Sequence, residues 1–213
     1  MNDIIQGSPE WFAIRCGKVT ASRVADVMAK TKTGWGASRA NYMGELIAER
    51  LTGTVAPSFS NAAMQWGTDH EPDARAAYEF RFDKTVVEIG FAVHPTIPMS
   101  GCSPDGLVGD DGLCEIKCPN TATHIETLLG QVVPSKYMAQ IQWQLACTDR
   151  YWCDFISYDP RLPELMQLFV YRVRRDDKYI AEMEAAVREF LTELDGKVEA
   201  LLKLHSGTAM VAS

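Results

Sequence analysis

Two carboxylates and a lysine lie close together where the sequence turns from helical to alternating patterning. Asp105, in Ser103-Pro104-Asp105-Gly106, is separated by nine residues from Glu115-Ile116-Lys117. On a strand alternate residues share a face, so Glu115 and Lys117 project together while Ile116 packs behind them. Asp105 arrives from the preceding turn and can meet Glu115 across a hairpin whose tip is Gly109-Asp110-Asp111-Gly112. Two carboxylates converging on one point repel unless a divalent cation sits between them, and hard oxygen ligands suit Mg²⁺ or Mn²⁺. A lysine ammonium beside such an ion can orient an attacking water and stabilise charge on a phosphate oxygen. The chemistry these groups fit is phosphodiester hydrolysis. The same spacing also fits a surface hairpin carrying an ordinary Glu–Lys pair, and spacing alone does not choose between them.

The elements that must position these residues follow from periodicity. A helix is expected after Thr20-Ala21-Ser22, with Val24, Val27 and Met28 at helical spacing. TKTGWGAS reads as a mobile loop, with Lys30, Lys32 and Arg39 able to reach a DNA groove or backbone. Tyr42, Leu46, Ile47 and Leu51 then form an apolar stripe stopped by Gly53. A helix covering part of 61–82 either begins near Pro72 or kinks there, because proline removes a backbone donor. TVVEIGFAVHP, GLCEIKC, YWCDFISYDP and LMQLFVYRVRR read as strands. A helix containing Tyr137, Ile141 and Leu145 precedes the last two. A long one runs from about Asp177 to Leu204, and the small-residue tail of 206–213 is expected to fray. The expected fold is α/β, a single domain with a central mixed sheet flanked by helices.

Composition bounds the partners. With 213 residues, 46 % hydrophobic and 23 % charged, the chain resembles an ordinary soluble domain with one core. No apolar run approaches the roughly 20 residues a bilayer requires, and MNDIIQGSPEWF lacks the basic start of a signal peptide. A cytoplasmic protein with six reduced cysteines is expected. The cysteines form no CxxC pairs, which argues against a zinc or iron–sulfur site. A net charge of −7 argues against coating nucleic acid by bulk charge. It leaves room for a nuclease whose phosphate contacts concentrate in one groove. Trp11 and Trp66 read as core anchors, and the four scattered histidines receive no catalytic role.

With GCSPDGL and CEIKCP in view, the chain resembles lambda exonuclease and the related phage-type alkaline exonucleases, the YqaJ-like viral recombinases. Trp11, Arg15 and Gly17 followed by Thr20-Ala21-Ser22 are similar to the family's first block. Trp66-Gly67 with Glu71 and Asp73-Ala74-Arg75 match its second. Tyr137-Met138-Ala139-Gln140 with Gln142, and Tyr158-Asp159-Pro160-Arg161, match later ones. The resemblance implies a restriction-endonuclease-like PD-(D/E)XK core and Mg²⁺-dependent, processive 5′-to-3′ digestion of one strand of duplex DNA to mononucleotides. It also implies a homotrimeric ring and a single-strand annealing partner in phage recombination, in a bacterial host cell. By the same resemblance Asp105, Glu115 and the Ile116 carbonyl are metal ligands, Lys117 positions water, and Glu71 helps hold a second ion or its water. Gln140 matches an active-site glutamine. Arg15, Ser22 and Ser103 match the 5′-phosphate pocket, chemically apt because a guanidinium and two hydroxyls clamp phosphate well. Met64 falls at the apolar wedge that splays the terminal base pair, although it also reads as core.

Two other functions share these residues. An endonuclease or branch-specific resolvase on the same core would not depend on Arg15. A catalytically silent DNA-end-binding scaffold would bind ends without cleaving them, and the intact acid-acid-lysine set argues against it.

Overall fold

The computed structural model describes residues 4–32, 34–55 and 61–206. In chain order the helices are α1 (Pro9–Arg15), α2 (Val24–Met28), α3 (Ala37–Thr52), α4 (Ala62–Phe82), α5 (Thr121–Gly130), α6 (Met138–Thr148), α7 (Glu164–Gln167) and α8 (Asp177–Ser206). The strands are β1 (Val19–Thr20), β2 (Lys30–Thr31), β3 (Gly34–Trp35), β4 (Val86–Val87), β5 (Ala92–His94), β6 (Ile97–Cys102), β7 (Gly106–Val108), β8 (Gly112–Lys117), β9 (Trp152–Tyr158) and β10 (Leu168–Arg174).

The central sheet is mixed, in the order β10-β9-β8-β7-β4. β8 and β9 run parallel, and the other pairs are antiparallel. A parallel pair needs a crossover, and here α5 and α6 supply it. Alternation along β8 then sorts its side chains. Leu113 packs with Ile141 and Leu145 of α6, whereas Cys114 and Ile116 pack with Ala74 and Tyr78 of α4. Glu115 therefore faces α6, and Ile116 lies behind it against α4.

The sequence reading expected one sheet, and besides the small β2–β3 pair the structure adds a three-stranded one. Its order is β1-β6-β5, packed among α2, α3, α6 and α8 around Trp143, Phe190 and Met183. The stretch read as one strand, TVVEIGFAVHP, is divided between β4 of the central sheet and β5 of this one, whereas β1, β6, α1 and α5 were not read in advance. β1 and β6 are parallel, with Thr20 opposite Gly101, so both chains leave the sheet at the same end.

Several expectations change. α4 runs through Pro72 rather than starting there, and is capped by the Asn61 side chain and by left-handed Asp83. Pro72 is exposed, so its missing donor is borne on the solvent side of the helix. The segment read as a mobile loop forms the β2–β3 hairpin, where Trp35 lies between Lys30 and Arg39 at 4.9 and 4.3 Å. Arg39 is 4 % exposed and paired with Glu193 at 2.7 Å, which withdraws it from any DNA groove. Gly53 ends α3 in the left-handed conformation at φ 69, as the stripe implied. Most of the expected tail, 207–213, lies outside the described residues.

Candidate active site

The hairpin β7–β8 brings the two carboxylates together. Gly109 has a φ of 58 at its tip, a backbone that glycine adopts without strain. Gly106 pairs with Cys114, so Asp105 enters opposite the end of β8, and its Oδ2 accepts the Ile116 N–H at 2.6 Å. Glu115 is 0 % exposed. Its Oε1 takes a hydrogen bond from Gln140 Nε2 at 2.5 Å and an ion pair from Lys117 Nζ at 2.5 Å, and its Oε2 accepts Gln144 Nε2 at 2.6 Å. Burial followed by repulsion from Glu115 pushes the Asp105 carboxyl well above its usual range, with Lys117 opposing. Burial alone would lower Lys117, but the facing Glu115 and Asp105 carboxylates hold it up, so it is an ammonium.

Glu71 lies on the α4 side. Its field reaches Asp105 and Cys118, while its Oε1 accepts Arg75 at 3.0 Å and Arg75 also pairs with Glu88. Among the described residues no three His, Cys, Asp or Glu side chains gather as a metal site. The oxygens that could hold a divalent ion are those of the half-buried Asp105 and the buried Glu115. These hard oxygens and their mutual repulsion suit a divalent cation. Tyr137 stacks on Phe155 at 5.4 Å and serves packing, with Lys117 Nζ 5.6 Å from its ring.

A second constellation sits at the common end of β1 and β6. Ser22 follows β1 and Ser103 follows β6, each two positions beyond the paired Thr20 and Gly101, so both residues lie past the same end of the sheet. Arg15, closing α1, donates to Ser103 Oγ at 3.1 Å and lies 3.9 Å over the Trp11 ring, whose Nε1 reaches the same hydroxyl at 2.8 Å. Trp11 is therefore a wall of this site rather than a core anchor. Trp66 packs at the edge of the core, between His70 and Arg161. Arg15, Ser22 and Met64 all line one cavity of 770 Å³, with Trp11, Lys18 and Tyr42. Among the described residues no carboxylate lies within ion-pair distance of Arg15, and burial lowers its pKa. Glu45 and Glu49 line the same cavity, so the half-buried Arg15 guanidinium offers hydrogen-bond donors to an anion beside carboxylates that it does not pair with. Met64 is 53 % exposed, which excludes the core reading.

The YqaJ-like viral recombinase domain matches residues 10–151, a span that contains both constellations. The chain belongs to the YqaJ-like viral recombinase family. It is similar to LHK-Exo, an alkaline exonuclease from Laribacter hongkongensis, at 56 % identity over 94 % of this chain and 100 % of that one, with a TM-score of 0.88. A second structure of LHK-Exo, similar to the same extent, is a complex with dAMP. A phage-related exonuclease from Haemophilus somnus 129PT shares the fold, with a TM-score of 0.71 at 14 % identity over 86 % of this chain and 96 % of that one. ExoD of Escherichia coli strain K12 is 32 % identical over 65 residues, covering 30 % of this chain and 74 % of that protein. This recombinase-family protein is thus a nuclease of alkaline-exonuclease type with a restriction-endonuclease-like fold, and its family is generally metal-dependent. No helix among the described residues is long and apolar enough to cross a membrane.

The residue that sequence reasoning passed over is Gln144. It stands four positions after Gln140 on α6, the spacing that places two side chains on one helix face. That spacing was the available signal.

Proposed function

We propose that the protein is a Mg²⁺-dependent 5′-to-3′ exonuclease that digests one strand of linear duplex DNA to mononucleotides and leaves 3′ single-stranded overhangs. The observation that carries this reading is the segment Ser103-Pro104-Asp105. Its first residue bonds Arg15 at the cavity, and its third bonds Ile116 N beside Glu115. Two residues of chain reach at most roughly 7 Å. A terminal 5′-phosphate held by Arg15, Ser22 and Ser103 thus keeps the next phosphodiester near the carboxylates. That geometry favours cutting one nucleotide from a 5′ end. Met64, exposed on the cavity wall, is placed to act as an apolar wedge on the terminal base pair.

Asp105, Glu115 and the Ile116 carbonyl would hold Mg²⁺, or Mn²⁺ in its place, supplying charge neutralisation and a more acidic water. Lys117 orients the attacking water and meets the charge developing on the phosphate oxygens. Gln140 fixes the Glu115 carboxylate. Glu71, bonded to Arg75, would support a second ion or its water, with substrate oxygens completing the shell. The homotrimeric ring, the annealing partner and the phage-bearing bacterial host rest on the resemblance to lambda exonuclease, whereas the cytoplasmic setting and the single-domain reading of 1–213 rest on length and composition.

The test is a linear duplex labelled separately at each end of one strand, with and without a 5′-phosphate, digested in Mg²⁺ or EDTA beside Asp105→Ala. Mononucleotides released from the 5′ end, faster with the phosphate and absent in EDTA or the variant, are expected. Internal fragments would replace this reading with the endonuclease, and intact DNA under Mg²⁺ and Mn²⁺ with the silent scaffold.

A further inference from the structure

Glu115 is held from both sides by one helix. Gln140 and Gln144, one turn apart on α6, donate to its two different oxygens at 2.5 and 2.6 Å. The two glutamines are not equivalent. Gln140 is half-buried and shares Oε1 with Lys117, whereas Gln144 is 0 % exposed and reaches Oε2 from inside the protein. Gln144 Oε1 finds no hydrogen-bond partner although it is buried. An amide turned the other way would set its carbonyl oxygen against the carboxylate, so the donor orientation is forced. The residue thus keeps an unsatisfied buried oxygen while its amide nitrogen serves Glu115. That arrangement costs stability, as is common for groups kept in place for function rather than packing.

We infer that Gln144 is a positioning residue for Glu115, anchoring Oε2 so that the carboxylate keeps one orientation towards Asp105, where a divalent cation would bind. The inference rests on the carboxylate metal site proposed above. Without the anchor, the Glu115 side chain gains rotameric freedom that must be lost again on each binding event. Partners that orient metal ligands typically contribute about 10- to 100-fold in metal affinity.

The experiment measures Mn²⁺ binding to the DNA-free full-length protein by calorimetry and by the electron paramagnetic resonance of free Mn²⁺. The proteins compared are the parent, Gln144→Met and Gln142→Met. Methionine keeps approximate volume and removes the donor. Gln142 is the control, equally buried on the same helix but bonded to the Arg174 carbonyl and the Asp176 N–H. Mn²⁺ affinity about 10- to 100-fold weaker in Gln144→Met, unchanged in Gln142→Met, is expected. At saturating Mn²⁺ the turnover of Gln144→Met should recover to within about threefold of the parent, because the ligand is displaced rather than removed. Should Gln144→Met not fold, Gln144→Asn keeps an amide that is too short to reach, and the same loss is expected. Parent-like Mn²⁺ affinity in either Gln144 variant, or an equal loss in Gln142→Met, overturns the inference. A parent that binds no Mn²⁺ overturns the metal-site reading and this inference together.

Discussion

Replacing Arg15 with glutamine should separate end recognition from both catalysis and stability. The guanidinium donates to Ser103 Oγ, stacks on Trp11 at 3.9 Å and lies within the cavity wall without an ion-paired carboxylate. Burial works against its charge. A charge-assisted hydrogen bond to a phosphate contributes about 1.5–3 kcal/mol, which converts to roughly 10- to 150-fold in kcat/KM for 5′-phosphorylated ends. Stability should hardly change. The substitution forfeits about 0.5–2 kcal/mol of cation–π attraction but removes a charge that burial disfavours more than Glu49 favours it, and the two offset. The assay is single-turnover digestion of matched duplexes with a 5′-phosphate or a 5′-hydroxyl, together with thermal melting. Arg15→Gln should lose the preference for phosphate, digest 5′-hydroxyl ends at close to the parent rate, and melt near the parent temperature. An undiminished phosphate preference in a folded Arg15→Gln protein would refute the assignment of the cavity to the terminal phosphate.

Three further outcomes are expected. Lys117→Met should lower turnover by about 10²–10³, the usual loss for one electrostatic donor at a developing charge, while DNA-end affinity measured in Ca²⁺ stays within a few-fold. The Asp159 carboxyl, which burial alone would raise, is held at about 2 by hydrogen bonds from Arg161 and Thr121. A depressed acid contributes stability that is present above its unfolded pKa and lost as pH falls through the folded one. Arg161→Met should therefore be less stable than the parent at pH 5 by about 1–2 kcal/mol, discounted because Arg161 is half-exposed. The gap in denaturant titrations should close towards pH 2, and a gap independent of pH would show that the pair contributes packing alone. Met64→Ala should leave the melting temperature within about 2 °C, since its exposed side chain buries little area. It should nonetheless slow digestion of fully paired ends more than frayed ones, and equal slowing on both would sink the wedge.

Much of the chemistry was legible because the alternating pattern of β8 is a local property. A strand with period two must place Glu115 and Lys117 on one face and Ile116 on the other, whatever it packs against. The stripe of α3 and its stop at Gly53, and the long repeat of α8, were readable for the same reason. Pro72 left two alternatives open, a helix start or a kink, and the structure removes the first because the packing of Ala74 and Tyr78 on the sheet outweighs a local propensity penalty. Arg39 was misjudged because nothing local says that Glu193, far along the chain, will take it.

What the sequence determined by itself was therefore that Asp105, Glu115 and Lys117 meet across one hairpin, since that depends only on neighbours within a dozen residues. Tertiary structure alone decided what surrounds them. Parallel pairing of β1 with β6 brought Ser22 and Ser103 to Arg15, and the crossover between β8 and β9 laid α6 against Glu115, so that Gln144 meets its carboxylate. Both are non-local pairings. Burial strengthens the hydrogen bonds and charge interactions made there, but which partners meet is fixed only when the sheets form.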